Sequence, residues 1–292
     1  MVIVNFCFMY VPAFFDFILA KPTKIIYNII AEQKLFALYY NTNLNNIKYY
    51  FVKKHIFLQK FFGFFTKFSV FLGTIMKKET KKEKKERAAK IVSVLKEVYP
   101  ASECALEYEG EPWKLLVMGR LSAQCTDARV NIVCRELFAK YPTAHSLADG
   151  ELSEIENIVR PCGLFRTKAE SIKQACVMLC DVYGGVLPNT MEELLLFPGV
   201  GRKIANLLLG DIYHVPAIVA DTHCIRICGR LGFYHEELKD PHKVELIMRD
   251  FIEPDEQSDF CHRIVMFGRE YCMARSPRCA ECPLSSLCPK KG

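Results

Sequence analysis

Leu194-Leu-Leu-Phe-Pro-Gly-Val-Gly-Arg-Lys-Ile-Ala-Asn206 is the stretch on which the fold turns. The run up to Phe197 is apolar and follows Thr190 and Glu193, a pair spaced as a helix capping box. Pro198 cannot continue that helix, and Gly199 and Gly201 allow a turn that residues bearing a Cβ resist. A second helix is expected from about Arg202, with Ala205, Leu208 and Leu209 on its apolar face. Two helices joined by Gly-Val-Gly gather several free backbone N–H groups at one helix N-terminus. Such a terminus is a ready anion site, and a DNA phosphate fits it. Gly199, Gly201 and Arg202 are therefore candidate DNA contacts.

Outward from the hairpin, apolar residues recur at a period near 3.6. Ile91, Val94, Leu95 and Val98 make one stripe. Val130, Val133, Cys134, Leu137 and Phe138 make another, opening at Thr126-Asp127 and closing before Pro142. Ala169, Ile172, Cys176 and Leu179 make a third, ending at Gly184-Gly185. Asp240-Pro241 opens a helix through Phe251, and Ser258-Asp259 opens one through Tyr271. No two-residue alternation is sustained, so the pattern predicts an all-α fold of short helices and tight turns.

Lys203 falls in the first turn of the helix after Gly201, where the dipole disfavours a cation. Freeing the amine of an ordinary lysine, of pKa about 10.4, costs roughly 4–5 kcal/mol at neutral pH. Desolvation and the positive helix end supply part of that. Lys203 is either a solvated side chain or phosphate contact, or a nucleophile, and the Pro-Gly-Val-Gly-Arg context favours the nucleophile. Asp221 or Thr222, in Val219-Ala-Asp-Thr-His223, suits the N-cap of a helix over Cys224–Leu231. A carboxylate there either caps only, or also faces a cleft and handles protons or developing positive charge. His223 reads as structural.

Cys272, Cys279, Cys282 and Cys288 crowd the C-terminus with the spacing C-x6-C-x2-C-x5-C. Four thiolates on a short loop-rich segment can wrap one soft metal centre. The alternative is a structural zinc, for which the x6 interval is long and a second C-x2-C pair is missing. Arg275 and Arg278 between the cysteines make a small basic loop suited to phosphate. The chain has fourteen cysteines in 292 residues, several within helix-like apolar patterns, and no secretory signal pattern. A reducing cytoplasm fits both observations.

Residues 1–75 differ from the rest. They hold fourteen of the twenty-one phenylalanines without a clean period, and carry all of the formal net charge of +6. Residues 76–292 balance 31 basic against 31 acidic side chains, so a nucleic-acid surface must be a local patch. Residues 1–20 are apolar enough to raise a membrane-spanning helix, but an upstream stretch translated through a misplaced start, with the true start at Met76, is the favoured expectation.

Taken together, these segments resemble the helix-hairpin-helix DNA glycosylases, and among them the endonuclease III family. The hairpin, Ala220-Asp-Thr-His223, Leu121-Ser-Ala-Gln-Cys-Thr-Asp127, Gly163-Leu-Phe-Arg-Thr-Lys-Ala169 and the cysteine tail stand in that family's order across about residues 85–288. The resemblance implies a base-excision-repair glycosylase and abasic-site lyase acting on oxidised pyrimidines in double-stranded DNA. Lys203 would attack C1′, displace the base and form a Schiff base that permits β-elimination of the 3′ phosphate. Asp221 would assist proton transfer and stabilise the charged sugar. Gln124 would fill the space left by the ejected nucleotide, and Leu164 would wedge the opposite strand. The four cysteines would hold a [4Fe-4S] cluster, with no further small-molecule cofactor. A six-helix domain would cover roughly residues 105–215, and a cluster domain residues 76–104 with 216–292. The protein would act as a monomer in the cytoplasm, at the nucleoid.

One segment departs from the family pattern: Met118-Gly119-Arg120 stands where apolar residues are expected, and Arg120 either shifts lesion preference or pairs locally. Two rivals remain at this level. An adenine glycosylase of the same superfamily would lack the lysine at position 203 and need a glutamate near Met118. A non-catalytic hairpin module would bind DNA by its backbone alone.

Overall fold

Thr80 opens the first helix with a reciprocal cap: its Oγ1 accepts from Glu83 N at 3.2 Å, and Glu83 accepts from Thr80 N at 2.8 Å. This computed structural model describes residues 79–289, so the readings of residues 1–75 lie outside the described residues. The described residues contain helices and connecting turns but no strand, which is the all-α class expected.

In chain order the helices are α1 (Lys81–Val98), α2 (Pro112–Leu121), α3 (Asp127–Lys140), α4 (Ala144–Asp149), α5 (Leu152–Val159) and α6 (Phe165–Asp181). They continue as α7 (Met191–Leu194), α8 (Arg202–Tyr213), α9 (Thr222–Arg230), α10 (Pro241–Phe251) and α11 (Gln257–Glu270). Thr126, Thr190, Asp221 and Asp240 each cap the following helix through a side-chain oxygen. The helix before the hairpin is shorter than the apolar run suggests. It stops at Leu194, and Leu195–Phe197 pass through turns. Pro198 disfavours helical backbone at the residue before it, and Phe197 packs in the core with its ring stacked on Tyr183 at 5.2 Å.

The buried side chains form two clusters. One runs from Leu106 through α2–α8 to Ala217. The other joins α1 to Ile218–Leu284, closing the first described helix onto the C-terminal segment. Leu207 on α8 packs against both. The helix that follows the Gly-Val-Gly turn therefore stands where the two cores meet.

Candidate active site

The hairpin turn uses its two glycines differently. Gly199 has φ +79, in the left-handed region, and a Cβ there would come within 2.4 Å of Arg120 Nε. Gly201 has φ −108 and ψ 177, extended backbone open to any residue, with no atom within 4 Å of a Cβ. The expectation that both glycines serve the turn is thus corrected: Gly199 makes it, while Gly201 caps α8 and leaves open space over the helix N-terminus. Arg120 donates from Nε to Ser171 Oγ at 2.8 Å and lies against Gly199. The unexpected arginine braces the hairpin from below. Gly119 is less tightly enclosed, since a Cβ there would sit 3.2 Å from Ile204 of α8.

On α8, Arg202 turns its guanidinium onto Glu245, with contacts of 3.0 and 2.5 Å, and Glu245 is buried. Arg202 thus ties the hairpin to α10 in this structure. Lys203 is exposed and, among the described residues, makes no hydrogen bond or ion pair. It lines a cleft of about 90 Å³ together with Asp221, Asp127, His262 and Arg269. Asp221 Oδ1 accepts from Cys224 N at 2.7 Å, so one carboxylate oxygen caps α9 while the residue also lines the cleft. Asp127 and Arg269 pair across the same cleft. His223 lies with Nδ1 3.2 Å from the Arg226 guanidinium and packs against Gly268. Burial holds its pKa below the usual histidine range.

Two exposed side chains stand on left-handed backbone in neighbouring loops: Gln124 at φ +55 and Leu164 at φ +47, the latter 62% exposed. Non-glycine residues adopt this region seldom, and strain of this kind gathers at functional loops. Between the loops lies Lys168, fully buried, donating from Nζ to Leu121 O at 2.9 Å and Cys162 O at 2.7 Å. Its burial lowers its pKa. Sequence reading gave Lys168 no role, because nothing local distinguishes a buried lysine from a solvated one in the first turn of a helix.

The four tail cysteines are half-buried, and Cys272, Cys282 and Cys288 pack against the second core. Burial pushes the Cys282 thiol above the usual range, and its neighbours Cys272, Cys288 and Cys279 add to that. Arg230 fixes the start of this loop, reaching Cys272 Sγ at 3.5 Å and Met273 O at 2.7 Å. Among the described residues, no three tail sulfurs lie within 4.8 Å of one another. A single tetrahedral zinc, with Zn–S bonds near 2.3 Å, would draw them to about 3.8 Å. Four cysteines on one loop-rich segment are the ligand set that a [4Fe-4S] centre takes. Arg275 and Arg278 are exposed between the cysteines.

Residues 117–254 match the family model for HhH-GPD superfamily base excision DNA repair proteins, and residues 272–288 that for the iron–sulfur binding domain of endonuclease III. The endonuclease III of Synechocystis sp. is 42% identical over 207 residues, covering 70% of this chain and 93% of the relative. This chain belongs to the endonuclease III family. A solved non-covalent endonuclease III–DNA complex superposes with a TM-score of 0.67 at 40% identity, covering 71% of this chain and 96% of that one. A trapped endonuclease III–DNA covalent intermediate matches with the same figures. The protein is a base-excision DNA glycosylase and lyase with an iron–sulfur cluster. None of its described helices is long and apolar enough to cross a membrane.

Proposed function

We propose that Lys203 is the nucleophile and Asp221 its partner in removing oxidised pyrimidines from duplex DNA. The carrying observation is a lysine amine without a partner, at the N-terminus of α8, sharing a cleft with a carboxylate. The neutral amine attacks C1′, the N-glycosidic bond breaks, and the base leaves with its bonding electrons. Opening of the sugar ring gives a protonated Schiff base between Nζ and C1′. Loss of a C2′ proton then expels the 3′ phosphate. Asp221 takes the ammonium proton first and faces the cationic sugar afterwards. Met118 is buried and apolar, which argues against the adenine-glycosylase alternative and its glutamate.

Gly199 and Gly201 present backbone N–H groups to a phosphate, and the open space above Gly201 supports a close approach. Arg202 supports this surface through Glu245. Gln124 enters the vacated stack, and Leu164 wedges the facing strand. Arg275 and Arg278 contact phosphates on the loop that Cys272, Cys279, Cys282 and Cys288 would hold around a [4Fe-4S] cluster, whose chemistry there is to cross-link and position. We take the two cores as two domains, residues 105–215 and residues 76–104 with 216–292. The chain acts on DNA as a monomer, in the cytoplasm at the nucleoid.

Borohydride trapping on duplex DNA carrying an oxidised pyrimidine tests the reading. Wild type gives a covalent adduct. Lys203→Ala gives none, while its duplex affinity stays within about threefold. An adduct of undiminished yield in Lys203→Ala removes the proposal.

A further inference from the structure

On the far side of α8 from the hairpin, three side chains from separate parts of the chain converge. Cys104 comes from the segment between α1 and α2, Asp211 from the last turn of α8, and His262 from α11. Their thiol sulfur, a carboxylate oxygen and an imidazole nitrogen lie within 4.8 Å of one another. His262 Nε2 is 2.7 Å from Asp211 Oδ1, and Ser258 Oγ donates to the same oxygen at 3.1 Å. Asp211 Oδ2 is buried and finds no hydrogen-bond partner. The Asp211 side chain is 6% exposed and that of His262 12%.

We infer that Cys104, Asp211 and His262 bind a zinc ion, at a site separate from the cysteine tail. A sulfur, an imidazole nitrogen and a carboxylate oxygen form a donor set that zinc accepts in tetrahedral geometry, with water as fourth ligand. Bonds of about 2.0–2.3 Å require donor atoms roughly 3.2–3.8 Å apart. The present spread reaches that by small side-chain rotations, the His262–Asp211 contact opening slightly. Without an ion the Asp211 carboxylate has Ser258, His262 and the Cys104 thiol as hydrogen-bonding neighbours; a cation would replace the thiol proton and draw directly on the buried Oδ2. A cavity of about 500 Å³ opens onto all three residues. Of the acidic residues on its wall, Glu107, Glu109 and Asp259 are paired with Arg135, Lys114 and Arg263, which leaves Glu103 and Asp255 to draw cations to its mouth. On binding, Cys104 loses its proton to solvent. The thiolate and the carboxylate then neutralise the ion's charge, which suits a half-buried position.

The ion would join the first core's last helix to α11 of the second, behind the cleft that holds Lys203. Cys104 and His262 also line that cleft, so the site forms part of its rear wall. The inference stands independently of the assignment of Lys203, since no donor is shared.

Iron-loaded protein dialysed against micromolar zinc tests it, by metal analysis and zinc K-edge X-ray absorption. One zinc per chain beyond the iron, in a shell of one sulfur with nitrogen and oxygen, is expected. Cys104→Ser should remove the sulfur from the shell. His262→Gln should weaken zinc binding at least tenfold and abolish the zinc-induced rise in melting temperature, with iron content unchanged. If His262→Gln does not fold, the Cys104→Ser absorption spectrum decides. No zinc uptake, an all-sulfur shell from misloading of the tail, or an unaltered shell in Cys104→Ser overturns the inference.

Discussion

Gly199 and Gly201 sit two residues apart in the same turn and answer to different forces. At Gly199 an alanine meets both a left-handed backbone, costing about 1–2 kcal/mol, and the Arg120 side chain at 2.4 Å, an overpacking cost of about 1–3 kcal/mol. Gly199→Ala should therefore lower unfolding free energy by about 2–5 kcal/mol, and an Arg120→Ala background should recover the packing part, as urea denaturation of the double variant will read. Gly201→Ala should change stability by less than about 0.5 kcal/mol and yet weaken duplex binding, because its Cβ fills the open space where phosphate approaches. Asp221 separates capping from chemistry in a similar way. Asparagine caps as well as aspartate, so Asp221→Asn should keep the Cys224 N bond and the melting temperature. Its single-turnover base excision should fall about 10²–10⁴-fold through loss of the charge. Equal loss of stability and rate would mean that Asp221 is only a cap. Lys168 acts on two loops at once, and Lys168→Met leaves the Leu121 and Cys162 carbonyls without their donor. A loss of about 1–3 kcal/mol is expected.

At the scale of elements, sequence patterns were legible wherever one face of a helix is wet. α1, α3, α6, α8, α10 and α11 carry apolar stripes at helical spacing, and Thr126, Asp221 and Asp240 cap α3, α9 and α10, while α11 opens at Gln257, just before the expected Ser258-Asp259. α2 left no such trace, because it is buried nearly all round: Trp113, Leu115, Leu116, Val117, Met118 and Leu121 all lie inside. α4 is too short to show a period, and α5 carries its stripe of Leu152, Ile155, Ile158 and Val159 over only two turns. Lys203 and Asp221 were legible because each sits in a local motif. The Cys104, Asp211 and His262 cluster was not, since its members come together only through tertiary packing. The Arg202–Glu245 pair between α8 and α10 was hidden for the same reason, and its two ends are unequal. Glu245 is 3% exposed and Arg202 37%. Removing the arginine strands a buried carboxylate, so Arg202→Ala should cost about 3–5 kcal/mol. Glu245→Gln leaves an arginine that water can reach, and should cost about 1 kcal/mol. Chemical denaturation of the two variants will test that asymmetry. Equal costs would show that the pair is as solvated as a surface ion pair.

Across the whole molecule, the second core is assembled from the two ends of the described chain, and the cysteine tail closes it. Arg87 of α1 donates to Leu231 O at 2.7 Å and to Leu287 O at 3.3 Å, tying α1 to α9's end and to the tail. Tyr99 Oη donates to Glu270 at 2.8 Å, and Arg263 Nε donates to Tyr99 O at 3.1 Å. Leu284, within the tail, is fully buried. The hairpin belongs to the other core and shares none of these bonds. Loss of the cluster should therefore loosen the tail and α1 while leaving the Gly-Val-Gly turn and Lys203 in place. Cys282→Ser should lower the melting temperature and weaken duplex affinity by about tenfold, equal to about 1.4 kcal/mol, as Arg275 and Arg278 lose their fixed loop. At saturating DNA the borohydride-trapped adduct should persist, because the amine and Asp221 are held by α8 and the α9 cap. A cluster-free protein that binds DNA with unchanged affinity would show that the basic loop keeps its shape without metal. One that binds but cannot be trapped would show that the two cores communicate through the cleft.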